Sequence, residues 1–323
     1  MVRFGMKAAA AAAMAMVLAA PAMAAWPEDK PIEVVVGFAP GGGTDLMARK
    51  LLPFVAKRLG GKAQFVVVNK PGAAGEIALA QAKNAKADGY TLAVVNVPGF
   101  LFVPMIKKAQ YEAQDFTLIS RVVDDPTVIV TQSDAALRTL PAIVQALHAR
   151  PGSLTFGHNG VGTNGELALQ LLGKASNVEI NAIPYKGTAA QKTDVLGSHL
   201  AFGLVSAGEI PELHGSGTGA LKAVVQLGEK RSPALPAVPT ATEAGIKVVM
   251  SSERGFAAPK GVPAAIVRQL DAAIADSLRD PEFLASAAAD APVLAYLPGD
   301  QWQKSLDKNR KVLQELAATL PKQ

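Results

Sequence analysis

The stretch Phe38-Ala39-Pro40-Gly41-Gly42-Gly43-Thr44-Asp45 decides the fold, because it joins a predicted strand to a predicted helix through three consecutive glycines. A β-branched run at 32–36 precedes it, and residues 44–59 follow with apolar side chains one helical turn apart. In an open α/β sheet, ligands bind beyond the carboxyl ends of the strands, where this loop lies. The loop is therefore a structural turn and the first candidate site.

The three glycines favour binding of an anion by the backbone. Glycine adopts positive φ readily, so the N–H groups of Gly41, Gly42 and Gly43 can turn toward one point. The start of the following helix adds N–H groups without partners and the positive end of the helix dipole. The other candidate ligand-binding residues of this loop are Phe38, Ala39, Pro40, Thr44 and Asp45.

The alternative interpretation of this loop is a tight turn in which Thr44 or Asp45 caps the helix. A nucleotide site is not indicated. The loop lacks the Gly-Lys-Ser/Thr ending of a P-loop, and the sixth position from Gly41 is Leu46 rather than glycine.

A second glycine-rich loop, at 156–164, also lies between a predicted strand and a predicted helix. Together the two loops predict a ligand held between two halves of the chain. His158 in this loop either donates to an anionic ligand or is a bystander. The candidate residues here are His158, Asn159, Gly160, Gly162, Thr163 and Asn164.

Three further segments could line the same cleft. Asn96 and Gly99 follow the third predicted strand, and Ser206 and Glu209 follow a strand of the second half. The segment 184–188 contributes Tyr185 and Lys186. Lys186 either pairs with a carboxylate or is a solvated surface lysine.

The fold class follows from the alternation of strands and helices. Strands at 65–68 and 91–95 flank a helix at 77–86, which predicts a parallel sheet. After the turn signal Asp124-Asp125-Pro126, a strand at 127–131 opens a second set, which ends with a strand at 248–250. Amphipathic helices at 264–278 and 301–320 close the chain.

We therefore predict an α/β fold of two lobes, each a mostly parallel sheet flanked by helices, since a single core rarely exceeds about 250–300 residues. Residues 25–125 form lobe 1, 126–250 form lobe 2, and 251–323 return to lobe 1.

Residues 1–24 are predicted to be a signal peptide, because two basic residues precede a short apolar run and the small-residue pattern Ala22-Met23-Ala24.

Composition restricts the function. The chain has no cysteine, which argues against disulfides, a thiolate metal site and a lipid-modified N-terminal cysteine. We expect a periplasmic monomer without a lipid anchor. The four histidines show no metal-ligand spacing, so neither a metal nor another cofactor is expected. A G-x-S-x-G nucleophile motif and a basic cluster are both missing, which argues against an enzyme and a nucleic-acid partner.

Several ordered motifs resemble the solute receptors of tripartite tricarboxylate transporters, also called Bug receptors. The first is F-x-P-G-G-G-T-D-x-x-A-R at 38–49, and the resemblance extends from about residue 26 to the C-terminus. The other motifs are N-K-P-G-A-A-G at 69–75, D-G-Y-T-L at 88–92, P-Y-K-G at 184–187, S-P-A-L-P at 232–236, V-P-T at 238–240, E-A-G at 243–245, and A-P-x-G-x-P at 258–263.

This resemblance implies a type II periplasmic-binding-protein fold that closes over a small carboxylate, a di- or tricarboxylate or an aromatic acid, and delivers it to a membrane permease. Position by position, the family's ligand contacts fall on Ala39, Gly43, Thr44, Asp45, His158, Gly162, Thr163 and Asn164.

Three departures from the family pattern bear on the ligand. His158 stands where many members have serine, and Glu166 where many have histidine. Val205 stands where members that bind amino acids carry an aspartate, which makes an amino-acid ligand less expected. Two other functions stay open at this point: a ligand sensor that docks on a signalling kinase, and a secreted α/β hydrolase.

Overall fold

The computed structural model describes residues 26–210, 219–287 and 293–318. The predicted signal peptide lies outside these residues. The strands are β1 (Ile32–Val36), β2 (Phe65–Asn69), β3 (Thr91–Val97), β4 (Phe116–Gln132), β5 (Thr155–His158), β6 (Asn181–Pro184), β7 (Phe202–Ser206), β8 (Leu221–Gln226), β9 (Ser251–Pro259) and β10 (Leu294–Pro298). The α-helices are α1 (Gly43–Arg58), α2 (Glu76–Lys83), α3 (Gly99–Ile106), α4 (Leu140–Ala149), α5 (Asn164–Ser176), α6 (Thr188–Leu196), α7 (Ala264–Ser277), α8 (Pro281–Ser286) and α9 (Gly299–Ala317).

The strands form two α/β halves that share the long strand β4. In the first half β1 pairs in parallel with β2 and β3, and in the second half β5 pairs in parallel with β6 and β7. Between them, β9 and β4 run antiparallel to their neighbours, in the order β2-β1-β3-β9-β4-β7-β5-β6. The predicted α/β architecture of two halves is confirmed, with antiparallel strands added at the centre.

The predicted turn at Asp124-Asp125-Pro126 is wrong, because β4 continues through it. Asp125 is opposite Ser252 and Pro126 opposite Ser251 in the register with β9. The same strand then pairs with β7 and β8 in the second half. Pairing with strands far away in the chain holds these turn-forming residues extended, a tertiary effect that local sequence does not carry.

Other elements differ from the sequence-based expectation. Residues 248–250 are not a strand, and the chain becomes extended at Ser251 instead. The helix α3 was predicted as loop. It is apolar nearly all round, with Phe100, Leu101 and Phe102 buried and Pro104 inside, so it shows no amphipathic periodicity. The helices α4 and α8 and the strand β10 were also missed.

The C-terminal segment packs on the first half. In one core cluster, Leu51 of α1 and Ile274 of α7 lie with Val34 of β1 and Phe256 of β9. From α9, the fully buried Trp302 donates its indole N–H to a carboxylate oxygen of Glu253 at 2.8 Å. The lobe boundaries given above stay a prediction at residue level.

Gly255 provides a test of the packing between β9, β4 and α9. A Cβ atom built on it would lie 2.1 Å from the Ser120 carbonyl oxygen and 2.7 Å from Trp302 Cζ3. Since both neighbours are fixed in the core, Gly255→Ala should lower the free energy of unfolding by about 3 kcal/mol, the upper end of typical overpacking costs. Urea unfolding followed by circular dichroism measures this. An unchanged midpoint would contradict the described packing.

Candidate functional site

A cavity of about 630 Å³ lies between the two halves and is lined by both. The first loop contributes residues 38–44, and the second contributes Asn159, Gly162, Thr163 and Asn164. The halves also touch directly, because a Cβ atom on Gly99 would lie 3.2 Å from the Gly162 carbonyl oxygen. The two glycine-rich loops therefore share one cavity.

The first loop is held by the carboxylate of Asp45. One Asp45 oxygen accepts the Gly41 N–H at 2.9 Å, and the other accepts hydrogen bonds from Arg49 and Asn69, each at 2.9 Å. Asn69 also donates to the carbonyl oxygen of Phe38 at 3.0 Å. Burial opposes ionisation, but the hydrogen bonds from Arg49, Gly41 and Asn69 hold the pKa of Asp45 below its usual value.

The second loop repeats this arrangement. Glu166, in the first turn of α5, accepts the N–H of Gly162 at 2.6 Å, as Asp45 in the first turn of α1 accepts that of Gly41. In each case the acceptor lies four residues after the donor. The carboxylates therefore fix the two loops from within, and the departure of Glu166 from the family pattern has a structural role.

Hydrogen bonds between side chains tie the helix starts to the central strands. Asn96 at the end of β3 donates to Thr44 Oγ1 at 3.3 Å and accepts from Ser252 of β9 at 3.0 Å. Asn164 donates to Thr127 of β4 at 2.7 Å and to Ser206 of β7 at 3.4 Å. These contacts fix the positions of both helix N-termini relative to the shared sheet.

Of the residues predicted to bind ligand, most line the cavity and four do not. The four are Asp45, which fixes the first loop, and His158, Gly160 and Tyr185. Tyr185 donates to Asp194 at 2.7 Å. The lining residues are Phe38, Ala39, Pro40, Gly41, Gly42, Gly43, Thr44, Asn96, Gly99, Asn159, Gly162, Thr163, Asn164, Lys186, Ser206 and Glu209.

His158 supports the second loop from below. Its side chain is buried, at 3% exposure, and its Nδ1 donates to the Gly160 carbonyl oxygen at 3.1 Å. Thr163 Oγ1 donates to the same oxygen at 2.6 Å. Burial lowers the pKa of His158, although the Gly160 carbonyl and Glu166 favour the charged form. The imidazole is therefore neutral near pH 7 and holds the Gly160–Gly162 turn.

The charged centre of the cavity is Arg254, which is not among the residues predicted to bind ligand. This residue lies on β9, is 5% exposed, and donates from Nη2 to Glu209 at 3.3 Å. The same nitrogen lies 3.5 Å from Asp125 Oδ2. Lys50 and Lys192 also line the cavity and were missed. No local motif marks Arg254, because it follows a segment in which the strand was predicted to end.

Asp125 is fully buried in the middle of β4. Burial raises its pKa to about 7, even though the Arg254 guanidinium and the N–H of Gly208, at 2.9 Å, favour the charged form. Glu209 and Asp124 add to the upward shift. One guanidinium is thus shared by two carboxyl groups.

Neither a metal site nor a membrane span is found in the part of the chain that the structure describes. There, no three acidic or histidine side chains converge as metal ligands would. Over the same residues, each helix is too short or too polar to cross a bilayer.

The chain is similar to a known family of receptors. Residues 47–315 match the sequence profile described as the tripartite tricarboxylate transporter family receptor. The chain belongs to this receptor family. The predicted membership of this receptor family is therefore confirmed.

Individual relatives agree over most of their length. Protein BugT of Bordetella pertussis is 34% identical over 284 residues, 86% of each chain. A protein from the gbd 5' region of Cupriavidus necator is 30% identical over 97% of this receptor and 96% of its own length. A TctC solute-binding protein from Polaromonas superposes with a TM-score of 0.74 at 29% identity, covering 91% of this chain and all of that one. The expected two-lobed solute-binding-protein fold is confirmed.

The role of Asp45 can be tested by pH. Because its folded pKa is below the usual value of about 3.9, the stability it contributes is complete above that value and is lost as pH falls through the folded pKa. Asp45→Asn should therefore lower the free energy of unfolding by about 1.5–3 kcal/mol at pH 7, the range for hydrogen bonds to a charged group. The difference in the free energy of unfolding between Asp45→Asn and wild type should be smaller at pH 3. Urea unfolding of both proteins at the two pH values measures it, and an equal difference at both would contradict this role.

Proposed function

We propose that this receptor captures a small carboxylate between its two halves in the periplasm and presents it to the membrane permease of a tripartite carboxylate transporter. The observation that carries the proposal is the convergence of two glycine-rich helix starts, at Gly43 and Asn164, on one cavity. The first N–H groups of a helix have no acceptor within it, and the helix dipole favours negative charge there.

The charges of the cavity support an anionic ligand. Four cationic side chains and two acidic ones belong to the described lining. Net positive charge in a partly enclosed cleft attracts and concentrates an anion. The cations are Lys50, Lys186, Lys192 and Arg254, and the acids are Asp125 and Glu209.

The cavity chemistry supports binding without turnover. His158 lies behind the second loop and the described lining contains no histidine, so it presents no serine–histidine pair. Backbone N–H groups and lysine ammonium groups are sufficient to bind a carboxylate, and binding of this kind requires no catalytic residue. Family membership supports delivery to a permease, and we expect the receptor to act as a monomer.

The proposal is tested by ligand-dependent thermal unfolding. The mature protein is heated with a panel of mono-, di- and tricarboxylates, aliphatic and aromatic, and with the matching primary amides. At a hundredfold excess over the dissociation constant, a true ligand stabilises the folded state by about 2.7 kcal/mol. At least one acid should raise the melting temperature while its amide does not. A panel without any such acid would contradict the proposal, and consumption of the acid in an NMR time course would contradict a pure receptor role.

Gly43→Val tests the location of the site. A side chain at Gly43 would enter the cavity, where its Cβ would lie 2.7 Å from Arg254 Nη1 and 3.2 Å from Glu209 Oε1. Both neighbouring atoms are side-chain ends and not backbone, and they can shift slightly while staying paired. The protein should therefore still fold, but the added side chain should block the approach of a ligand to the α1 N-terminus. We expect at least about a hundredfold loss of affinity by isothermal titration calorimetry, about 2.7 kcal/mol.

The exposed Ala87, which is outside the cavity lining, gives the control Ala87→Val. This variant should bind as wild type does. Wild-type affinity in Gly43→Val would place the site elsewhere.

A further inference from the structure

Glu209 is the one acidic side chain of the described lining that reaches from the second half to the first loop. It lies in the short turn after β7, and its side chain is 18% exposed. Its Oε1 would be 3.2 Å from a Cβ on Gly43, at the start of α1. The carboxylate therefore stands beside the helix start that is proposed to hold the ligand.

Three electropositive groups surround this carboxylate. Arg254 Nη2 donates to Oε1 at 3.3 Å, and the hydroxyl of Thr188 donates to Oε2 at 2.5 Å. Thr188 is the first residue of α6, so its helix dipole also points its positive end here. The N-terminus of α1 is the third group. Glu209 is held as a bound anion would be held.

Its position is fixed by further contacts. Thr188 also accepts a hydrogen bond from Asn159 at 3.1 Å, and Asn159 in turn accepts one from Gln191. The Arg254 nitrogen that donates to Glu209 also lies 3.5 Å from the buried Asp125. If Glu209 moved away, the buried guanidinium would lose one of its two carboxyl partners, which is costly.

We propose that Glu209 is a specificity-determining residue: its fixed carboxylate takes the place of a second ligand carboxylate beside Arg254, so that the receptor selects acids with a single carboxylate over dicarboxylates of the same length. The inference rests on the proposed function, because it concerns which carboxylates enter the same cavity. A ligand monoanion is held by the loops, while a second negative charge in the cavity meets Glu209 at short range in a medium of low dielectric.

The test uses matched pairs of acids that differ by one carboxylate: butyrate with succinate, hexanoate with adipate, and benzoate with terephthalate. Isothermal titration calorimetry on the mature wild-type protein and on Glu209→Gln gives the mono-to-di preference of each. Glutamine keeps the size of the side chain: its one oxygen can accept from Arg254, and its NH2 group can donate to the hydroxyl oxygen of Thr188. We expect wild type to prefer the monocarboxylate and Glu209→Gln to improve binding of the dicarboxylate by about tenfold or more, with the monocarboxylate changed by less than about threefold.

Two control variants show whether the effect of Glu209→Gln comes from the charge at that position, from the net charge of the protein or from the altered side chain. Glu229 is exposed and outside the cavity lining, so Glu229→Gln removes the same charge elsewhere and should leave the preference unchanged. Glu209→Asp keeps the charge and should keep the preference. Circular dichroism melts confirm that each variant is folded.

An unchanged preference in Glu209→Gln would overturn the inference while leaving the proposed function intact. Loss of binding to both members of a pair would also overturn it, since Glu209 would then contact the ligand as an acceptor. Wild-type protein that binds only dicarboxylates would contradict it directly. If no acid of any pair bound wild type while another carboxylate of the thermal panel did, the inference would fail and the proposed function would stand. If no carboxylate bound at all, both would fail.

Discussion

The site depends on one repeated interaction: a first-turn carboxylate accepts the N–H of a loop glycine four residues earlier. Asp45 does this for Gly41, and Glu166 does it for Gly162. Glycine-rich loops lose much conformational entropy when they are ordered. A loop without this hydrogen bond would lose that entropy when the ligand binds, which would weaken binding. The two carboxylates fix the loops beforehand. The N–H groups left at the helix starts are then already in place.

Each of these two carboxylates also adds negative charge near the proposed anion site. At the first loop this charge is offset by an ion pair. Asp45 is paired with Arg49 and Asn69 behind the first loop, away from the cavity lining. On the central strands, Arg254 lies between Asp125 and Glu209, and burial favours the neutral form of Asp125. Three lysines, Lys50, Lys186 and Lys192, also belong to the lining.

Much of the site could be predicted because its signals are local. Three glycines between a β-branched run and an amphipathic helix mark a strand-to-helix loop wherever they occur, and the second loop has the same form. The long strand β4 and Arg254 could not be predicted in this way. Arg254 meets Glu209 across 45 residues of chain, and Asp125 becomes part of a strand only through pairing with β9. The hydrogen bond by which His158 supports the second loop could not be predicted either, because the position of its partner, the Gly160 carbonyl oxygen, depends on the fold.

The central claim is that backbone N–H groups of both loops hold one carboxylate, and amide NMR tests it most directly. Uniformly ¹⁵N-labelled mature protein is titrated with a stabilising acid from the panel. The account predicts that the amide signals of Gly43, Thr44 and Asn164 shift together and saturate at one ligand per chain, with larger downfield proton shifts than elsewhere. Saturation with these three amides unmoved, and the largest shifts at residues outside both loops, would contradict it.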